Sequence, residues 1–329
     1  MRRSCLLVLL VVLGKTVFAQ DPKFSQYFAS PLTLNPAMTG YFDGDYRLAV
    51  NSRQQWGNIG NPYNTYSASG EMKLQDEYYY NDIFTIAVGG LLEESFNKFI
   101  KSYTYSAGIS YYRYFDADHQ FRFGLSPQLS YVSRRLNYNA LTVASQYQDG
   151  AFNTALPNGL DLQSGHFSYL DLNLGTNFGF TSDRIAANIG YAIYHLTRPQ
   201  DSFFKNNQVT LPYRHTLNAG FRYESNDLLD FNLSAHYLIQ ARSTDFVAGA
   251  VLGFKPHIES KLRLSFGLWN QTNEKAFIPF IGFDVDNIAI GMNYSLFTNN
   301  IATYKPRTFE VSLIIRDKNF TKFKNTCKF

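Results

Sequence analysis

The chain has 329 residues with 30 basic and 26 acidic side chains, a formal net charge of +4, 29 Phe, 24 Tyr and two Cys. That length allows one or two domains, and two cysteines exclude a disulfide-stapled scaffold. So small a charge excess makes nucleic acid a poor partner.

Met1-Arg2-Arg3 followed by the apolar run Leu6–Leu13 and by Val17-Phe18-Ala19 reads as a secretory signal peptide over residues 1–19, cut after Ala19. The apolar run is too short for a transmembrane helix, which needs about 20 residues. Cleavage removes Arg2, Arg3 and Lys15, taking the basic count from 30 to 27 against 26 acidic residues. Cys327 is then the only cysteine left, so no internal disulfide is expected in the exported chain.

Residues 20–44 form the next unit, and Phe24–Gly40 is its centre. This stretch does not alternate: Pro31 and Pro36 forbid a central strand, and Pro36 biases Asn35 away from helical angles. Gly40 supplies a flexible exit. The expectation is a plug or hatch tucked into the mouth or lumen of a closed barrel.

From residue 45 to 316 the chain is a series of fourteen alternating runs, near 45–55, 63–74, 83–94, 102–116, 119–132, 167–181, 184–195, 213–224, 229–241, 245–256, 260–270, 276–284, 287–297 and 307–316. Around Phe121 the apolar residues Phe121, Phe123, Leu125, Leu129 and Tyr131 are separated by Arg122, Gly124, Ser126, Gln128 and Ser130. Ile288, Ile290, Met292, Tyr294 and Leu296 alternate with Ala289, Gly291, Asn293 and Ser295 in the same way. Period-2 runs of this kind have the length of membrane strands, about 9–11 residues.

The connections carry an independent signal. Tight turns are expected at 116–118, 182–183, 225–227, 243–244, 256–259 and 285–286, and all but 243–244 follow even-numbered strands. The long connections 133–166, 196–212 and 298–306 all follow odd-numbered ones. Outer-membrane barrels keep periplasmic turns short and outer loops long, so both termini are expected in the periplasm. Aromatic girdles are expected from Tyr114, Phe115, Phe121, Phe180 and Tyr223 at the short turns, and from Tyr131, Tyr194 and Tyr213 at the long loops. A soluble β-sandwich also alternates, but it would turn its apolar face inward and its turns would not sort by parity. The reading is an all-β transmembrane outer-membrane barrel of about fourteen antiparallel strands with an N-terminal plug, surrounded by outer-membrane lipid.

Nothing in the sequence argues for catalysis, a cofactor or a metal. His119, His166, His195, His215, His236 and His257 are scattered, with no His-x-His or His-x3-His pair, and read as solvated or lumen-facing. There is no nucleophile elbow, phosphate loop or Cys-x-x-Cys. Asp161, His166 and a nearby Ser make a triad only on paper.

Gln20-Asp21-Pro22, Phe24-Ser25-Gln26-Tyr27-Phe28, Pro31, Leu34-Asn35-Pro36-Ala37 and Thr39-Gly40 resemble the opening of the PorP/SprF family. Arg47 and Asn51-Ser52-Arg53-Gln54-Gln55-Trp56 continue that resemblance into the first strand, and Cys327-Lys328-Phe329 resembles the short basic end common in the family. The resemblance implies an outer-membrane component of the type IX secretion system of Bacteroidota. Its implied partners are a secreted cargo or surface adhesin and periplasmic components of the machinery. The Asn-Pro-Ala segment also resembles the hatch of FadL-type transporters of hydrophobic small molecules, which is the alternative function.

Three groups of residues stand out. Asn35, Pro36 and Ala37 form a turn in which the Asn35 side chain bonds nearby backbone, serving either a structural plug or a gate for cargo or ligand. Arg53 and Trp56, at the far end of the first strand, read first as a solvated charge and an interfacial anchor, and second as a partner contact. The tail 317–329 interleaves Lys318, Lys322, Lys324 and Lys328 with Phe320, Phe323 and Phe329. Of these, Lys322, Phe323, Lys324 and Phe329 are the candidates for docking on an acidic periplasmic partner. Recognition by the assembly machinery is the other reading of Phe329.

Overall fold

The computed structural model describes residues 21–317 apart from 59, 75–80, 96–97, 138–143, 149, 154, 157–164, 204–208 and 299–305. The signal peptide, Asp161 and the tail residues Lys322, Phe323, Lys324 and Phe329 lie outside the described residues.

The alternating runs become strands β1 (Tyr46–Gln55), β2 (Tyr63–Leu74), β3 (Asp82–Ser95), β4 (Ile100–Tyr114) and β5 (Phe121–Leu136). The connection after β5 carries a small hairpin that the sequence did not suggest, β6 (Tyr147–Gln148) and β7 (Ala151–Phe152). The remaining strands are β8 (His166–Thr181), β9 (Ile185–Tyr194), β10 (Arg214–Glu224), β11 (Leu229–Gln240), β12 (Ser243–Phe254), β13 (Leu262–Gln271), β14 (Ala276–Val285), β15 (Ile288–Phe297) and β16 (Thr308–Arg316). Leaving out β6 and β7, each strand pairs antiparallel with the next, and β1 pairs with β16, so fourteen strands close the ring. Closure matters because an open strand edge in lipid would leave backbone groups unpaired.

Alternation sorts the side chains. In β1, Leu48 and Val50 project outward and are exposed, whereas Ala49, Asn51 and Arg53 face in and are buried. The outer face is lined with exposed Leu, Ile, Val and Phe, and the inner face with Ser, Thr, Asn, Gln, Arg and Glu. This is the inversion a lipid-embedded barrel requires.

The girdle reading holds in part. Phe115, Phe121, Tyr131, Tyr213 and Tyr223 are exposed, but Tyr114 and Tyr194 are buried. Both fall on the inward parity of their strands, Tyr114 in register with Tyr112 and Tyr194 with Ala192. The turn expected at 243–244 sits earlier, at Ala241-Arg242, where Ala241 adopts a φ of 54°.

Two strands carry an internal proline. Pro127 of β5 pairs with Leu174 of β8, while the β4–β5 register steps from Gly108↔Gln128 to Tyr111↔Leu125. Pro279 of β14 is opposed by Leu268 of β13, while the β14–β15 register steps from Phe277↔Leu296 to Phe280↔Asn293. In each case the ladder is interrupted on one side only, as expected of a residue without an N–H.

The short connections 115–120, 182–184, 225–228, 255–261 and 286–287 share one end with the start of β1 and the end of β16. The strand ends that flank the long connections 137–165, 195–213 and 298–307 lie at the other end.

Val88, 63% exposed at the middle of β3, faces the lipid. Val88→Arg should lower the unfolding free energy by about 2–4 kcal/mol, read by denaturant titration of the purified barrel, with Val88→Leu close to neutral. A loss below about 0.5 kcal/mol for the arginine variant would contradict a membrane-facing position.

Candidate functional site

Residues 21–44 run along the inside of the wall. Prolines keep this strap out of the sheet, and it advances in single turns, Tyr27–Ala29, Pro31–Leu34 and Pro36–Met38. Such turns leave backbone groups without partners of their own, and the inner wall supplies them.

At the start, the Ser25 and Gln26 N–H groups donate to the two oxygens of Glu310 at 2.9 and 2.7 Å. Asn51 also donates to Glu310, at 2.9 Å, and the Gln26 amide donates to the Glu310 carbonyl at 3.1 Å. In the middle, the carbonyls of Leu32, Thr33 and Leu34 accept from the Tyr194 hydroxyl (2.9 Å), the Arg214 guanidinium (2.9 Å) and the Thr216 hydroxyl (2.7 Å).

Asn35 then does what its residue type suggested and more. Its Oδ1 accepts from the Ala37 N–H at 2.9 Å, closing the turn around Pro36, while its Nδ2 donates to the Thr176 carbonyl (3.0 Å) and to Asn218 (2.9 Å). The wall gives it room through glycine. A Cβ on Gly175 would fall 2.2 Å from the Asn35 Oδ1, and one on Gly190 2.6 Å from its Nδ2. The Ala37 carbonyl accepts from the buried Tyr112 hydroxyl.

The strap leaves at the short-turn end. Gly40 donates to Glu71, which also receives Arg47 at 2.7 Å. Tyr41 lies under the Arg122 guanidinium at 4.1 Å, and Phe42 sits between Arg47 and Lys73. Cations stacked on aromatic faces with little water contribute about 2 kcal/mol each.

Its other end reaches the long-loop mouth. Asp21 binds Nε2 of His195 (2.7 Å) and Arg214 (2.8 Å), while Nδ1 of His195 meets Asp171 at 2.7 Å. Lys23 pairs with Asp245 at 2.6 Å and Glu274 at 3.3 Å. An imidazole with a carboxylate on each nitrogen must be doubly protonated to donate twice. Burial opposes that charge, but Asp21 and Asp171 more than offset it and push the His195 pKa up to about 9. Burial likewise opposes ionising Asp21, yet His195 and Arg214 hold its carboxyl well below the usual range.

The sequence candidates are thus divided. Asn35 and Ala37 are fully buried and Pro36 is buried between them. Arg53 is not a solvated charge: it is 1% exposed and donates to the Lys23 carbonyl, with Glu274 at 3.7 Å and Glu310 at 4.0 Å. Its parity, shared with Asn51, turns it inward. Trp56 stands apart, 46% exposed beyond the end of β1, where an interfacial anchor belongs. The expected chain path also differs, because the first described residues lie at the long-loop mouth instead of the short-turn end. Sequence reasoning missed Glu310, Glu71, Arg214 and the Asp21–His195–Asp171 group. The available signal was charge at inward positions of membrane strands.

Residues 16–315 match the family described as type IX secretion system membrane protein PorP/SprF. The chain belongs to the PorP/SprF family. No curated protein matches this PorP/SprF chain. Among solved structures it is similar to the CymD monoaromatic hydrocarbon channel, at 10% identity and a TM-score of 0.51, covering 87% of this chain and 91% of that one. It is also similar to a Pseudomonas aeruginosa FadL homologue (10% identity, TM-score 0.49, 87% and 93% covered) and to the Pseudomonas putida toluene transporter TodX (12%, 0.49, 91% and 94%). At 10% identity the likeness to CymD shows a shared barrel fold alone, and the family is described as one of type IX secretion system membrane proteins.

His195 is charged when folded, so its contribution to holding the strap is complete below its unfolded pKa near 6.5 and is lost as pH rises through about 9. Chymotryptic cleavage at Tyr27 and Phe28, normalised to a free peptide, should therefore speed up between pH ~7 and ~10. In His195→Gln it should be fast and flat over that range; wild-type protein showing no acceleration would contradict the assignment.

Proposed function

We propose that this PorP/SprF barrel is a non-enzymatic part of the type IX secretion system that supports export or surface attachment of a cargo protein and links the outer membrane to periplasmic machinery. The observation that carries this reading is the family match over residues 16–315. Within it, residues 21–44 act as the plug. A fourteen-stranded ring encloses more than its own side chains fill, since eight strands are filled and sixteen to eighteen leave an aqueous channel. A strap bonded from mouth to mouth supports that role.

The short connections face the periplasm in this reading and the long loops face outward. The barrel then ends, at Arg316, on the periplasmic side, and the tail 317–329 extends from there. Its Lys322, Phe323, Lys324 and Phe329 dock on a periplasmic component, the lysines steering towards an acidic surface. The strap's outer end, with Asp21, His195 and Arg214, lies at the outer mouth, where cargo would meet it. Arg53 belongs to the plug's seat and Trp56 to the membrane interface.

Deleting the gene should abolish surface display of one or a few proteins and leave uptake of hydrophobic solutes unchanged; the opposite pattern would favour the transporter reading. Truncation after Arg316 should leave a heat-modifiable barrel that fails in display. Loss of the barrel itself would assign the tail to assembly.

A further inference from the structure

β1 and β16 are the ring neighbours that no connecting segment joins. Every other adjacent pair is consecutive in the chain, β5 and β8 through the connection that carries β6 and β7. A turn or loop keeps two strands within reach of each other, and the entropy of bringing them together grows with the length of chain between them. Connectivity therefore helps the β1–β16 junction least. A ring opening at this seam has no turn to stretch.

The strap meets the seam twice. Near its start, Gln26 reaches both strands at once. Its backbone N–H donates to the Glu310 carboxylate of β16 at 2.7 Å, and its carbonyl accepts from Asn51 of β1 at 3.3 Å. Its side chain accepts from Ser312 at 2.5 Å and donates to the Glu310 carbonyl at 3.1 Å. Ser312 stands directly opposite Asn51 in the ladder, and Asn51 itself donates across the seam to Glu310 at 2.9 Å. One turn on, the buried Ala29 packs on Ala49 of β1 and Ile314 of β16 together. The strap then crosses to β8 and β10, where Asn35 and the Leu34 carbonyl are held. It returns to the seam at the short-turn end. There Gly44 passes so close to the end of β16 that a Cβ on it would fall 2.0 Å from the Asp317 carbonyl, and the Asp317 N–H donates to the Tyr46 carbonyl at 3.2 Å.

We propose that the strap clamps the β1–β16 seam, holding the ring closed as well as occupying its interior. Because the strap runs directly into β1, every bond it makes to β16 ties the last strand to the first. Without Ser25 and Gln26, Glu310 would be a buried carboxylate short of donors, a state relieved by admitting water between the strands. The clamp stands independently of the secretion role.

Hydrogen–deuterium exchange of the purified full-length mature barrel, followed peptide by peptide, locates the weakening. Gln26→Ala leaves the strap backbone in place and removes the side chain that grips Ser312 and Glu310. Amides of β1 and β16 should then exchange about tenfold faster, as expected for the loss of one or two buried hydrogen bonds, while β10 and β11 keep wild-type rates. Val50 and Leu313 are directly opposite across the seam and both exposed on the outer face, a separation within disulfide reach. In a Cys327→Ser background, a disulfide made by Val50→Cys with Leu313→Cys should return β1 and β16 of Gln26→Ala to wild-type rates. The equivalent bridge from Leu217→Cys with Tyr237→Cys, opposed in β10–β11, should not. If Gln26→Ala gives no folded barrel, the seam bridge should restore folding and the β10–β11 bridge should fail to. Exchange in β16 that is unchanged by Gln26→Ala or raised equally around the ring would overturn the clamp, as would rescue by both bridges or by neither.

Discussion

The Glu310 carboxylate, buried in the barrel wall, receives the backbone N–H groups of Ser25 and Gln26 and the Asn51 amide, with Arg53 close by. A buried carboxylate survives only when its oxygens are met, and a non-helical strap survives only when its backbone is met. Each supplies the other's need. The same reciprocity recurs where Tyr194, Arg214 and Thr216 cap the carbonyls of residues 32–34, and where Glu71 receives Gly40 and Arg47. The polar inner wall is thus the complement of a particular segment of backbone, and it has few reasons to be so specific otherwise.

This complement divides the interior. The strap hugs β8–β10 through Asn35, Met38 and Tyr41 and leans Phe28 against Phe280 of β14, leaving a space of mixed lining on each flank. Charges concentrate at the two ends. Asp21, His195, Asp171 and Arg214 stand together at the long-loop mouth, while Arg47, Glu71 and Arg122 brace the short-turn end. The segment is thus held by ion pairs at Asp21 and Lys23, by hydrogen bonds to charged and neutral wall groups along its length, and by cations stacked on Tyr41 and Phe42 at its exit.

Much of this fold is legible in the sequence because period-2 alternation is a local property. All fourteen runs became barrel strands, with ends displaced by a few residues where turns such as Ala241-Arg242 carry no Gly or Pro signal. The Asn35-Pro36-Ala37 turn is legible for the same reason, since its defining bond spans two residues. The partners of the strap are not. Gln26 meets Glu310 across 284 residues of sequence, a contact set by ring closure and register. Arg53 misleads because its place near a strand end suggests solvent, when the parity it shares with Asn51 already points it inward. Tyr114 and Tyr194 mislead likewise, because proximity to a turn suggests a girdle where parity does not.

The central claim is that the strap closes the barrel, and its direct measure is single-channel conductance in planar bilayers. Wild-type protein should show little or no steady current. Glu310→Ala combined with Asn35→Ala, which removes the acceptor for Ser25 and Gln26 and the seat at Thr176 and Asn218, should open steps several times larger than any wild-type event. Equal conductance in the two proteins, whether open or closed, would contradict the account.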